Sequence, residues 1–204
     1  MTLMRRIGWR RGALAILVVT VLTMAAIKAL SNDVEIALDI GEPYEAMRQR
    51  SSASIGPALA GRAWFNIPKS DARLRFANPQ YGFVTPLARF FTVMYKNGMI
   101  SSVRISPQIE PLLLDDTLKV VLDLQEQWLQ AGWVPTRASD FPPIADTPAW
   151  RVDLRNERKG GTTYWQAGNQ YQVMLVVNRF EDAKRPDEER YLITLQLATP
   201  WVKP

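Results

Sequence analysis

The chain has 204 residues, of which 47% are hydrophobic and 22% charged, a composition typical of a folded protein with room for one ordinary domain and an appendage. It contains no cysteine and no histidine, which excludes thiolate catalysis, cysteine-based zinc sites and histidine-dependent catalytic triads, and we predict no cofactor and no metal. Five of the 25 Lys and Arg residues lie in residues 1–31, which contain no Asp or Glu, so the rest of the chain is neutral and has no electrostatic reason to bind nucleic acid or anionic lipid.

Residues 1–31 predict a membrane anchor or a signal peptide. The arginine-rich sequence MRRIGWRR precedes an uncharged, mainly apolar run from Gly12 to Ile27. Positive charge ahead of an apolar run predicts that the N-terminus stays in the cytoplasm. The run is shorter than the ~20 residues of a spanning helix, but Lys28 can reach the membrane interface with its side chain and lengthen the span. The positions that represent the run are Gly12, Ile16, Val19, Leu22 and Ile27.

Two interpretations of this leader stay open. Residues 29–31 place small side chains where a signal peptidase reads them, which fits cleavage. We favour an uncleaved anchor, and we therefore predict a single-pass protein of the inner (cytoplasmic) membrane. Residues 33–204 would form a periplasmic, that is extracytoplasmic, domain in a bacterial envelope.

The first elements of this domain follow from residue alternation and turn chemistry. Apolar and polar residues alternate from Val34 to Ile40, which predicts a strand. Pro43 suits the first turn of a short helix that we expect to end near Arg50. Residues 51–61 are rich in Ser, Ala, Gly and Pro and predict a loop.

A hairpin is the clearest local prediction. Asn97-Gly98 separates two β-prone runs and fits a two-residue type I′ turn. Unbroken pairing from this turn would place Thr92 opposite Val103 and Phe90 opposite Ile105. Since both faces of the hairpin are fairly apolar, we expect it to lie inside a sheet that is covered at least partly on each side.

The sequence contains one strongly amphipathic helix, from Leu114 to Ala131. Asp115 is a candidate N-cap, and Gly132 is a candidate stop. Gln125 lies within the apolar arc, which predicts either a bond from its amide to backbone or partial exposure of the arc. The residues of that arc are Leu114, Leu118, Val121, Leu122, Leu124, Trp128 and Leu129.

The remaining chain predicts a strand-rich half. Residues 135–148 contain four prolines and predict an extended connector, at which the domain could be subdivided, although we favour one domain. Alternation then predicts a strand over 150–154. Further strands are expected through residues 164–165, from Tyr171 to Phe180 and from Arg190 to about Thr199, with a charged surface loop over 181–189. The inward face of the last strand is predicted to carry Tyr191, Ile193, Leu195 and Leu197.

This order of elements predicts an α+β fold, in which an antiparallel sheet packs one long amphipathic helix on a face. No motif for catalysis, phosphate binding or metal binding is present. Adjacent carboxylates such as Asp115 and Asp116 do not lie on opposite sides of a substrate bond, as a paired-carboxylate hydrolase requires. Four aromatic residues on or beside strands are candidates for an interaction surface, although aromatic residues on strands more often belong to the core or to cross-strand pairs. They are Tyr164, Trp165, Tyr171 and Trp201.

These observations favour a membrane-anchored, non-enzymatic domain that binds another protein. An inhibitor or immunity-type protein of the cell envelope is one form of this hypothesis, by analogy of layout. A small subunit of a trans-envelope machine for secretion, pilus assembly or division is the alternative. A carboxylate-dependent envelope hydrolase and a carrier of a small ligand, bound beneath Trp128, are further alternatives from other classes.

Overall fold

The computed structural model describes residues 34–203, which form three helices and ten strands. The predicted membrane segment from Gly12 to Ile27 lies outside the described residues, and none of the helices within 34–203 is long and apolar enough to span a membrane. The helices are α1 (Tyr44–Arg50), α2 (Leu114–Gln130) and α3 (Pro148–Arg155). The strands are β1 (Glu35–Leu38), β2 (Ala63–Asn66), β3 (Ala72–Phe76), β4 (Phe83–Ala88), β5 (Phe91–Lys96), β6 (Met99–Ile105), β7 (Val134–Thr136), β8 (Gly161–Ala167), β9 (Tyr171–Phe180) and β10 (Arg190–Ala198).

The strands form two sheets. The larger sheet has seven antiparallel strands in the order β2-β5-β6-β10-β9-β8-β7. The smaller sheet has the order β1-β3-β4, in which β1 and β3 are parallel and β4 is antiparallel to β3. The predicted α+β class with a mostly antiparallel sheet is confirmed, whereas the second sheet was not predicted.

The core lies against one face of the seven-stranded sheet. Every second residue of β10 is fully buried, and the inward face of this strand is the predicted one. Helix α2 contacts β10 of the large sheet and β4 of the small sheet, while α3 contacts β8 and β9. Aromatic rings join these layers. The ring centroid of Trp128 in α2 lies 5.7 Å from that of Phe83 in β4 and 5.6 Å from that of Trp165 in β8. The helices and the small sheet therefore cover the same face of the large sheet.

The hairpin has the predicted turn but not the predicted register. Asn97 and Gly98 have φ values of 53° and 75°, as a type I′ turn requires. Ser101 of β6 forms a bulge, because it has no residue opposite it between the Tyr95–Ile100 and Met94–Ser102 pairs. The pairing is shifted by one residue from there on, so that Phe91 rather than Phe90 faces Ile105. The bulge lets both Ile100 and Val103, three residues apart, point into the core.

The hairpin lies inside the sheet, as predicted, and its outward face is covered only in part, since Thr92 is buried there. Met94, Ser101 and Arg104 are exposed on that side. The apolar residues of the two strands instead converge on the inward face, because the bulge brings those of β6 into line with those of β5.

The long helix has nearly the predicted bounds, and its cap differs from the prediction. Leu113 is the N-cap and makes no side-chain capping bond, so the prediction of Asp115 was wrong. Asp115 instead accepts a bond from Arg151 of α3 at 2.7 Å. Of the predicted arc, Leu129 is 58% exposed. Gln125 is buried, and its side-chain amide bonds the backbone carbonyl and amide of Ile144 in the connector. Of the two alternatives predicted for this residue, the bond to backbone is therefore the observed one.

The predicted strand over 150–154 is wrong, because these residues belong to helix α3. The Thr147 hydroxyl accepts a bond from the Trp150 amide, and Pro148 occupies the first turn. This combination of cap and proline starts a helix, and it overrides the short alternation that suggested a strand. The structure confirms the other predicted elements within one or two residues at each end. They are β1, α1, β8, β9, β10 and the charged loop.

Candidate interaction surface

The face of the large sheet that points away from the core has no helix or strand packed on it among the described residues. Residues with partial exposure alternate with buried residues along β8, β9 and β10. Pairing aligns the partly exposed positions into rows, one of which runs from Tyr164 through Met174 to Gln196 and Arg104. We call the centre of this surface the open face and define it by Tyr164, Met174, Val176, Leu192, Thr194 and Gln196.

The open face differs from other solvent-facing surfaces of the domain in its lack of charge. Among the outward positions of β8, β9 and β10, all of them described, only Arg190 is charged. That guanidinium is engaged by Glu188 and by the Pro111 carbonyl. The exposed side of α2, by contrast, is rich in charge, with Asp116, Lys119, Asp123 and Glu126. Depletion of charged residues is a property of the centres of protein interfaces.

Packing at one margin fixes the ring of Tyr164. Phe141, from the connector after β7, meets this ring edge-on with centroids 5.1 Å apart. The Arg137 guanidinium lies over the Phe141 ring at 5.1 Å. This arrangement orders the Tyr164 side chain before any partner arrives, which lowers the entropy lost on binding.

The C-terminal segment covers one corner of the outward face. Gln172 is fully buried there, although its position in β9 points outward. Its amide oxygen accepts bonds from the Trp201 and Val202 amides at 3.2 and 2.9 Å, and its nitrogen donates to the Val202 carbonyl at 2.9 Å. The indole of Trp201 is left 42% exposed beside this corner.

The structure divides the four aromatic residues that the sequence nominated. It brings Tyr164 and Trp201 to the outward side of the sheet. Trp165 is 1% exposed and packs against Trp128, so it belongs to the core rather than to a surface. Adjacent strand residues point to opposite faces, which is why Tyr164 and Trp165 separate.

Tyr171 lies on the inward side, where it is partly buried. Its ring meets Phe76 edge-on at 5.1 Å, and its hydroxyl accepts a bond from the Asn78 amide at 3.1 Å. Burial raises the pKa of Tyr171, and the nearby Asp39 carboxylate raises it further. This tyrosine therefore stays neutral at physiological pH and joins the small sheet to β9.

The sequence did not nominate the aliphatic and amide residues of the open face. Met174, Val176, Leu192 and Gln196 carry no motif, and their partial exposure depends on which side of the sheet the helices cover. The available signal was the lack of charged residues at alternate positions in three consecutive strands, which is uncommon for a face in contact with water.

Within residues 34–203, two surface clefts are candidate sites for chemistry. One, of about 390 Å³, is lined in part by Phe141, Trp150, Asp153, Lys159 and Thr162. Its Lys159 ammonium bonds the Asp153 carboxylate at 2.8 Å, so both groups are engaged. The other, of about 230 Å³, is lined mainly by charged residues of the 181–189 loop and its neighbours.

The carboxylates of the domain form no recognisable metal centre. Within residues 34–203, no group of three or more acidic side chains is placed to hold an ion. In comparisons with protein-family models, curated proteins and solved structures, no match to this chain was found.

Proposed function

We propose that this protein is a membrane-anchored, non-enzymatic recognition protein whose extracytoplasmic domain binds another protein through the open face. The observation that carries the proposal is the uncharged, partly apolar character of a solvent-facing sheet surface. A surface of this kind loses little charge solvation when it is covered, and it gains from burial of its methionine, valine and leucine side chains.

The composition of the open face also describes the partner. Thr194 and Gln196 offer hydrogen-bond donors and acceptors, and Tyr164 offers a fixed aromatic ring. The six residues of the open face carry no charge, and the exposed Arg104, paired with Gln196, lies at its margin. The partner surface is therefore expected to be flat and uncharged at its centre, with amide or hydroxyl groups that pair with these side chains.

Two forms of this role have different partners. An inhibitor or immunity-type protein would bind one hydrolase in the envelope at equal stoichiometry. A subunit of a trans-envelope machine would contact several membrane proteins. The geometry favours recognition in either form over carriage of a small ligand, because Trp128 is fully buried among the Phe83, Trp133 and Trp165 rings.

Site-specific photocrosslinking in native membranes tests the proposal. A photoreactive residue at position 196 should give one discrete adduct, whereas the same residue at position 130, on the exposed side of α2, should give none. Mass spectrometry of the adduct then distinguishes one hydrolase from several membrane subunits. Adducts from position 130 with none from position 196 would place recognition on another surface.

A charge placed on the open face gives a second readout. Gln196→Lys should weaken binding of the crosslinked partner about 100-fold, because the partner would bury an unpaired ammonium. Gln130→Lys is the matched control and should leave the affinity unchanged. Equal affinities for both variants would contradict the proposal.

A further inference from the structure

A second exposed surface, at the β2 end of the sheet, has a different chemistry. Within nine residues, four large apolar side chains are exposed: Leu59 by 46%, Trp64 by 56%, Phe65 by 39% and Ile67 by 52%. The Trp64 and Phe65 rings are stacked, with centroids 5.3 Å apart and planes 17° apart. An apolar cluster of this size on a solvated edge strand indicates a binding surface. We define the aromatic–basic patch as Leu59, Arg62, Trp64, Phe65, Ile67, Lys69 and Lys96.

The backbone beneath the patch is firmly held. Asn66 ends β2, and its amide nitrogen donates to the carbonyls of Gly56 and Pro57 and to the Tyr44 hydroxyl at 2.9–3.1 Å. The Leu59 amide donates to the Tyr95 hydroxyl at 2.9 Å. The exposed rings are therefore presented by an ordered scaffold.

The segment that carries these rings has basic residues and no acidic ones. No Asp or Glu occurs from Ser51 to Ser70. Arg62, Lys69 and Lys96 are exposed and form no ion pair with any residue in the range 34–203, although most other arginines there are paired. The net charge of the chain after residue 31 is zero, which gave no reason to expect binding to anionic lipid, but this balance conceals a basic region. Residues 51–109 contain one acidic residue, Asp71, and seven basic ones, Arg62, Lys69, Arg73, Arg75, Arg89, Lys96 and Arg104.

The patch lies close to the first described residues. The Ala53 amide donates to the Glu35 carbonyl, and the Lys69 amide donates to the Ser54 carbonyl, both at 2.9 Å. Two such hydrogen-bonded steps place Lys69 about 10 Å from the start of β1. Only residues 28–34 separate this start from the apolar run that ends at Ile27, and seven extended residues span at most about 25 Å.

We propose that the aromatic–basic patch docks on the anionic lipid surface beside the N-terminal anchor. This inference rests on the membrane location in the proposed function, but not on the open face. Tryptophan and phenylalanine favour the membrane interface, and lysine and arginine are attracted to anionic headgroups. A patch that combines both, with no carboxylate and on a short tether, suits a lipid surface better than a protein surface, which would require matching carboxylates.

Docking would orient the domain. The patch lies at the β2 end of the sheet, and the open face is centred on β8, β9 and β10 near the other end. With β2 against the lipid, the open face would point away from the membrane and stay available to a partner.

Spin labels measure this contact directly, since a chain without cysteine can carry one label at a chosen position. The full chain with Ile67→Cys, or with Val152→Cys as the exposed control in α3, is reconstituted in vesicles of phosphatidylglycerol and phosphatidylcholine. We expect the label at position 67 to be relaxed by oxygen and shielded from a water-soluble nickel complex, and the label at 152 to stay aqueous. In pure phosphatidylcholine the shielding at 67 should fall.

Charge removal completes the test. Arg62→Gln should lower the docking equilibrium in anionic vesicles about 5-fold, whereas Arg158→Gln, the same change at an exposed arginine elsewhere, should not change it. Equal aqueous exposure of both labels in anionic vesicles would overturn the inference, as would shielding at 67 that appears only when the protein partner is added. Crosslinking from position 196 reports on the open face separately, so either proposal can fail alone.

Discussion

The pairing of Gln125 with the proline-rich connector gives a sharp prediction about stability. The Gln125 nitrogen donates to the Ile144 carbonyl at 2.7 Å, and the Ile144 amide donates to the Gln125 oxygen at 3.0 Å. Both residues are buried. Gln125→Leu keeps a similar volume but leaves one backbone donor and one backbone acceptor buried without partners. At about 1–3 kcal/mol for each group, the free energy of unfolding should fall by about 2–6 kcal/mol.

Urea unfolding followed by tryptophan fluorescence measures this change. Gln130→Leu, five residues later on the exposed side of α2, is the control and should change the free energy by less than about 0.5 kcal/mol. If both variants unfolded at the wild-type midpoint, the bonds to Ile144 would contribute nothing net, and the connector would be held by its apolar contacts alone.

Three further predictions address other parts of the domain. Gly160→Ala should destabilise the domain by about 2 kcal/mol in thermal unfolding. Residue 160 has a φ of +57°, and a Cβ atom there would lie 2.8 Å from the Val177 carbonyl oxygen and in contact with Asn178. An unchanged melting temperature would contradict this. Burial raises the pKa of Tyr44 above its ordinary value of 10.0. Its contribution to stability is therefore complete below pH 10 and is lost as the pH rises through the folded-state pKa. Between pH 8 and 11, the urea midpoint of Tyr44→Phe should fall less steeply than that of the wild-type protein. Gln172→Leu should speed hydrogen exchange of the Val202 amide about 100-fold, through loss of three bonds, and unchanged protection would show that other contacts hold the segment.

Local chemistry explains which elements could be predicted. Asn97-Gly98 predicts its turn because the backbone there needs positive φ, and Gly132 ends α2 at φ 84° for the same reason. No local sequence pattern predicts the bulge near Ser101, because the bulge is stabilised by burial of both Ile100 and Val103 on the inward face, which depends on the rest of the fold. The parallel pairing of β1 with β3 joins residues nearly forty positions apart, and no short pattern encodes it.

The candidate surface was predictable only in part for a related reason. Alternation in β8 shows that Tyr164 and Trp165 point to opposite sides, but it does not say which side the helices cover. Trp64 and Phe65 received no role in the sequence analysis because a four-residue strand with no alternation resembles a loop. Their exposure follows from the position of β2 at the edge of the sheet, which depends on the whole strand order.

The strand order also determines when the domain can fold. β10 lies between β6 and β9 and joins the half of the large sheet built before α2 to the half built after it. During synthesis, neither half can complete its hydrogen bonds until residues 190–198 have been made, since these long-range pairings come last. The proposed extracytoplasmic location would require the chain to cross a membrane unfolded, and this strand order suits such a passage, because the domain stays unfolded until nearly all of it has been synthesised.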